Sequence, residues 1–146
     1  MSRYSNILEF AMQKHFGQTD KSGKPYILHP VEVALSLYKD SDKVVALLHD
    51  VLEDTDATID DLVALGLEDC EIEAVKLLTK PHKEDYMHYV RRVAENPIAR
   101  RVKMADLRHN MDITRLDVVT ERDLARVEQY KKAYRILEDA EKALEL

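Results

Sequence analysis

Three glycines and four prolines are all that punctuate this chain, and the stretches between them follow a helical apolar period rather than strict alternation. The expected fold is all-α. A first helix should cover Ser5 to Phe16, followed by Gly17 to Pro25 as the longest polar, turn-rich connection of the first half. Pro30 suits the first turn of a second helix reaching about Lys39, because its missing N–H has no intrahelical partner there. Ser41 is expected to cap a third. Thr58 with Asp61 forms a capping-box variant opening a short helix that ends at Gly66, and Asp69 to Thr79 forms a fifth, stopped by Pro81. Glu84 to Glu95, Pro97 to about Asn110 and Glu121 to Leu146 complete a bundle of about eight helices. With 146 residues and no repeat, linker or low-complexity tract, residues 1–146 are expected to make one domain. The end of the last helix, Leu137 to Lys142, is expected either to fray or to pair with a neighbouring chain.

The expected third helix carries Leu47-Leu48-His49-Asp50-Val51-Leu52-Glu53-Asp54-Thr55. On a helical period, Leu47, Leu48, Val51 and Leu52 fall on one stripe, and His49, Asp50, Glu53 and Asp54 fall on the other. No Lys or Arg among these nine residues neutralises the three carboxylates. Like charges at this spacing repel on a bare helix, and a divalent cation turns that repulsion into binding free energy. Two further segments set metal-ligating side chains in apolar surroundings. His29 stands just before a helix start in Tyr26-Ile27-Leu28-His29-Pro30-Val31, and Asp106 and Asn110 share one face of the helix containing Val102 to Asn110. A half-buried Asp106 requires a partner, for which Lys103 and Arg108 are alternatives to a metal. Together His29, His49, Asp50 and Asp106 make a nitrogen and oxygen donor set that suits Mn²⁺, Fe²⁺ or Zn²⁺ and leaves positions open for water and substrate. Glu53 and Asp54, one turn beyond, are placed to orient that water or move its proton.

A net charge of −6 argues against a general nucleic-acid binder but leaves room for a small phosphorylated substrate held by a metal or a local basic patch. Cys70 is the lone cysteine, so neither an intrachain disulfide nor a thiolate cluster can form, and the reducing cytoplasm is the expected location. No run of about 18 apolar residues suggests a membrane span, and the first residues lead into an amphipathic pattern rather than a signal-peptide core. The paired arginines Arg91-Arg92 and Arg100-Arg101 read as a solvated face, and of the remaining histidines His109 is the one expected near the site. Oligomeric state is left open.

Three segments, Gly23 to Pro30, Leu47 to Thr55 and Val102 to Met111, resemble in their order the hydrolase domain of RelA/SpoT proteins, which are HD-domain metal phosphohydrolases. The resemblance implies manganese-dependent removal of the 3′-pyrophosphate from guanosine tetra- or pentaphosphate (ppGpp, pppGpp), giving GDP or GTP and pyrophosphate. It implies His29, His49, Asp50 and Asp106 as metal ligands, Glu53 and Asp54 as catalytic carboxylates, and Lys21 and Asn110 as substrate contacts. It further implies a stand-alone hydrolase without synthetase or regulatory domains, similar in size to the small alarmone hydrolases and their metazoan relatives, for which NADPH dephosphorylation is also known. Asp20 stands where the resemblance expects an Arg that packs on guanine, and an acid there should repel a polyphosphate rather than clamp it unless Asp20 hydrogen-bonds a base edge or caps a turn. That departure keeps two alternatives open: hydrolysis of NADPH or another phosphorylated nucleotide, and a non-catalytic nucleotide-binding module.

Overall fold

A computed structural model describes residues 3–143. Those residues contain nine α-helices, α1 (Arg3–Lys14), α2 (Leu28–Leu35), α3 (Asp40–Leu48), α4 (Val51–Asp54), α5 (Ile59–Ala64), α6 (Asp69–Leu78), α7 (Tyr86–Ala94), α8 (Pro97–Asn110) and α9 (Glu121–Ala143). A 3₁₀ turn at Ile113–Arg115 precedes α9. The only extended pairing among the described residues is a single bridge between Thr19 and Pro25. The all-α expectation therefore holds. Leu144, Glu145 and Leu146, assigned by sequence to the last helix, lie outside the described residues. None of the described helices is long and apolar enough to cross a membrane.

Side-chain caps explain several boundaries. Asn96 accepts a hydrogen bond from the Ala99 N–H at 2.9 Å and Pro97 follows at the first helical position, so α8 begins where the sequence says it should. Thr58 and Asp61 form both bonds of a capping box at the start of α5, and Gly66 follows its end with φ +84°. Ser41 departs from expectation. The helix starts two residues earlier, with Lys39 in the cap position and no side-chain cap bond, while Ser41 hydrogen-bonds the Glu71 carboxylate on α6 instead.

A second correction matters more. The continuous helix expected through the His49-Asp50 motif breaks there, Asp50 taking φ −108° and ψ −3° between α3 and α4. Neighbouring residues of an unbroken helix point about 100° apart. The break lets His49 and Asp50 face the same interior, so the single polar stripe does not form: His49 is buried, Asp50 half-buried, and Glu53 and Asp54 exposed.

α3 is the hub of the bundle and packs against α1, α2, α6 and α8. Val44, Val45, Ala46, Leu47 and Leu48 are all buried, which is the pattern of a helix enclosed on all sides. Each large apolar side chain there contributes about 1.5–3 kcal/mol through removal from water. Polar struts join the helices around it. Arg101 on α8 grips Asp42 on α3 through two bonds of 2.7 and 3.1 Å, and Arg100 reaches Glu141 on α9 at 2.7 Å. With Arg92 held by Glu84 at 2.8 Å, three of the four clustered arginines are committed to ion pairs within the fold.

Candidate metal centre

Three mutually packed helices deliver the predicted ligands to one point. His29 is the second residue of α2, His49 and Asp50 form the break after α3, and Asp106 lies in the second half of α8. Donor atoms of His29, His49 and Asp50 all lie within 4.8 Å of one another. Asp106 completes the cluster: its Oδ1 is 2.7 Å from His29 Nε2 and 3.3 Å from His49 Nε2, and His49 Nε2 is 3.1 Å from Asp50 Oδ2.

The chemistry of His49 tests whether a metal fits. Its Nδ1 lies 2.6 Å from the carbonyl of Ala46, one turn back on α3, and a carbonyl can only accept, so Nδ1 carries a proton. In the neutral ring Nε2 is then a lone pair. That atom is buried, makes no hydrogen bond, and faces two carboxylates. A lone pair aimed at carboxylate oxygens is repulsive unless a proton or a cation sits between them, and a carbonyl fixing the far nitrogen is the usual support of a metal-binding imidazole. The residues fit a divalent ion.

Charge balance keeps the two carboxylates ionised. Burial by itself would raise the Asp50 carboxyl, but the charge of a protonated His49 ring, with a bond from the Tyr26 hydroxyl, brings it down to about 2. Asp106 behaves alike: burial opposes ionisation, yet Lys103 and the two imidazoles hold its pKa well below the usual carboxylate range. For His49, burial disfavours the charged ring, and Asp50 and Asp106 outweigh it and raise the pKa well above the ordinary imidazole value. Burial raises the Tyr26 hydroxyl, which therefore remains a donor to Asp50.

Beside His29, Asp106 has two further side-chain partners. Lys103 donates to Oδ2 at 2.9 Å and Asn110 donates to Oδ1 at 3.2 Å, whereas Arg108 turns away to the Tyr134 hydroxyl. The Lys103 ammonium also lies 5.4 Å from the centre of the Tyr89 ring and 6.0 Å from that of Tyr86. His109 stands behind His29, with their Nδ1 atoms 2.6 Å apart, as the sequence led one to expect for this histidine.

A cavity of about 760 Å³ opens on the cluster, within the range of small-molecule sites. Among the predicted residues His29, Asp50, Asp106, Lys21 and Asn110 line it, while His49 sits behind the wall. Lys21 is at the mouth, half-exposed, with Nζ 2.7 Å from Asp123 Oδ1 on α9. Glu53 and Asp54 lie outside the lining: the Glu53 carboxylate accepts the Lys80 N–H at 2.8 Å, and the Asp54 carbonyl accepts from Gln18 Nε2 at 3.0 Å. Burial, then Asp50 and Glu53, raise the Asp54 carboxyl above its ordinary pKa. The Asp20 carboxylate accepts the backbone N–H groups of Ser22 and Lys24, each at 2.9 Å, so of its two expected roles it takes the turn cap.

Sequence reasoning missed Tyr26, Arg115, Arg126 and Tyr130 and took Lys103 only as a partner of Asp106; all five line the cavity. Tyr26 and Lys103 each stand three residues before a predicted ligand, His29 and Asp106, and that spacing was the available signal. Nothing comparable marks the other three.

No family model matches the chain. It is 36% identical over 115 residues to the guanosine-3′,5′-bis(diphosphate) 3′-pyrophosphohydrolase of Aquifex aeolicus, covering 70% of this chain and 16% of that protein. The protein of the same name from Borreliella burgdorferi is 37% identical over 121 residues, covering 71% and 18% respectively. The bifunctional (p)ppGpp synthase/hydrolase SpoT of Escherichia coli K12 is 37% identical over 115 residues, covering 69% and 16%. The chain thus matches less than a fifth of the length of these relatives. Among solved structures, a metazoan ortholog of SpoT, described as hydrolysing ppGpp and acting in starvation responses, superposes with a TM-score of 0.73 at 25% identity. That match covers 96% of this chain and 85% of the other. By sequence and by fold, this chain is a homologue of the SpoT/RelA family.

Proposed function

We propose that the chain is a manganese-dependent phosphohydrolase that removes the 3′-pyrophosphate of guanosine tetra- and pentaphosphate, releasing GDP or GTP and pyrophosphate in the cytoplasm. The observation that carries this reading is the convergence of His29, His49 and Asp50 within 4.8 Å at the floor of a nucleotide-sized cavity, in a chain whose relatives bear that activity in their names. Asp106 joins these three as the fourth ligand. The mixed imidazole and carboxylate set suits Mn²⁺, with Fe²⁺ and Zn²⁺ as the other ions such a set accepts. Bound there, the ion supplies Lewis-acid activation of water and of a phosphoryl oxygen.

The chain's own residues do the rest. Hydrolysis forms a bond from water oxygen to the phosphorus next to the ribose and breaks the bond from that phosphorus to the ribose 3′ oxygen, which takes up a proton. Glu53 and Asp54 handle the protons at the edge of the cluster, and the raised Asp54 carboxyl carries one further up the pH scale than a freely solvated carboxylate does. Lys21 holds phosphate oxygens at the mouth, exchanging Asp123 for the substrate. Asn110 bonds Asp106 through its amide nitrogen, and its carbonyl oxygen is left to accept from the nucleotide.

The direct test incubates metal-stripped protein with Mn²⁺ and guanosine tetraphosphate, beside Asp50→Ala, and follows GDP and pyrophosphate. Metal-dependent release by the wild type alone is expected. No release from protein shown to bind Mn²⁺ overturns the guanosine reading, and turnover of NADPH in its place would reassign the substrate.

A further inference from the structure

We propose that His15 and Gln18, just beyond the end of α1, are positioning residues that hold the Glu53-Asp54 turn in register with the metal cluster. The proposal rests on the hydrolase reading above for what that turn does. α4 is a single turn, and a helix this short leaves most of its carbonyls without intrahelical donors. Thr55 serves the Val51 carbonyl twice, through its N–H at 3.2 Å and its hydroxyl at 2.6 Å. The Asp54 carbonyl is served from outside, by Gln18 Nε2 at 3.0 Å.

Gln18 is oriented for this by a second residue. The Asp54 carbonyl can only accept, so Gln18 turns its amide nitrogen to α4 and its oxygen to His15, whose Nδ1 lies 2.8 Å away and donates. That second bond holds the amide in place. His15 is 2% exposed and its other nitrogen makes no hydrogen bond, which leaves Gln18 as the polar anchor of the ring. The main chain of Gln18 is equally committed, its N–H to the His15 carbonyl at 3.0 Å and its carbonyl to the Tyr26 N–H at 2.9 Å. Tyr26 packs its ring against His15 at a tilt of 52°, with ring centres 5.0 Å apart, and donates its hydroxyl to Asp50. One loop therefore touches both ends of α4: Asp50 through Tyr26, and Asp54 through Gln18. Within α4 the Asp54 N–H donates to the Asp50 carbonyl at 2.9 Å, and the loop after α1 braces that link from both ends.

Gln18→Glu keeps the side-chain length and an acceptor for His15 while removing the donor to Asp54. Gln18→Met removes both without adding charge. Each is expected to lower kcat about tenfold, the scale of one lost hydrogen bond, with KM and Mn²⁺ affinity within about twofold of wild type. His15→Leu is expected to do the same, and the double variant His15→Leu/Gln18→Met to lose no more than either single change, since both cut one chain of contacts. Hydrogen exchange read in the same proteins should show the Asp54 and Thr55 amides losing protection while α3 and α8 keep theirs. Unchanged exchange at those amides overturns the relay, as does a kcat per Mn²⁺-loaded site that stays at the wild-type value. Wild-type protein that binds Mn²⁺ yet turns over no guanosine tetraphosphate overturns the hydrolase reading instead, and the exchange measurement still decides the relay.

Discussion

The two ends of the cavity are built from different material. At the floor, His29, His49, Asp50 and Asp106 come from the most enclosed helices of the bundle and touch one another, and Asp106 is bonded by Lys103, Asn110 and His29 at once. At the mouth, Lys21, Asp20 and Ser22 belong to a polar loop, joined to the 3₁₀ turn and α9 by a Lys21–Asp123 pair that is half open to solvent and by a Ser22 hydroxyl bond to the Arg115 carbonyl at 3.2 Å. Buried, interlocked charges are costly to disturb one at a time, whereas at the mouth Lys21 is half-exposed and the buried Asp123 keeps its bonds from Thr120 and Arg126 without it. The floor is thus fixed along with the fold, and the mouth is free to change its residues at small cost to the fold.

The sharpest way to break that contrast is Asp106→Ala. It strands the Lys103 ammonium in a buried place, and a destabilisation of about 3–5 kcal/mol in urea unfolding is expected, together with loss of Mn²⁺ binding. A cost below about 1 kcal/mol would show the floor to be no more integral than the mouth. Asp50→Ala should abolish turnover, with a fall of at least about a thousandfold in kcat/KM on Mn²⁺-loaded samples. Its residue partners leave it less deeply enclosed, so its stability cost should be the smaller of the two.

Acid and base sharpen the comparison further. The carboxyls of Asp50, at about 2, and Asp106 are depressed in the fold, so their stabilising contribution is full above the ordinary carboxylate pKa and is lost as pH falls through the folded values. Metal-free protein should lose stability from about pH 4 downward, measured by denaturant titration. His49 runs the other way: its raised pKa stabilises the metal-free fold below the ordinary imidazole value, and that contribution disappears as pH rises through the folded one. A cation competes with that proton for Nε2. Mn²⁺ affinity should therefore climb with pH, with proton release visible as a buffer-dependent heat in calorimetry. A pH-independent affinity would remove His49 from the ligand set.

Effects at the mouth should be smaller. Lys21→Met is expected to shift stability by less than about 1 kcal/mol and to raise KM several-fold with kcat kept. Asp20→Ala loses the acceptor of two turn N–H groups and should cost about 0.5–1.5 kcal/mol while leaving metal affinity where it was. An Asp20 change that altered Mn²⁺ binding would mean that mouth and floor are one mechanical unit.

Legibility in the sequence follows the same division. α8 was readable to the residue because its punctuation is local, Asn96 and Pro97 at one end and the loss of apolar period at the other. The four proposed ligands were readable because polar residues stood out in buried patterns. The break at Asp50 was not, since periodicity continues across it and only the backbone angles record the turn. Nor was the commitment of Ser41 to Glu71, or of Gln18 to Asp54, because each depends on a partner brought near by packing. Lys103 was readable as a neighbour of Asp106, but its seat on Tyr86 and Tyr89 needs α7 laid against α8.

That seat has an electrostatic consequence. In metal-free protein a proton on the His49 ring and the Lys103 ammonium together balance the carboxylates of Asp50 and Asp106. A dication that displaces the His49 proton would take this set from neutral to one net positive charge. On the proposed reading Lys103 works as a ballast, since without it the loaded floor would be neutral and would offer a polyphosphate no attraction.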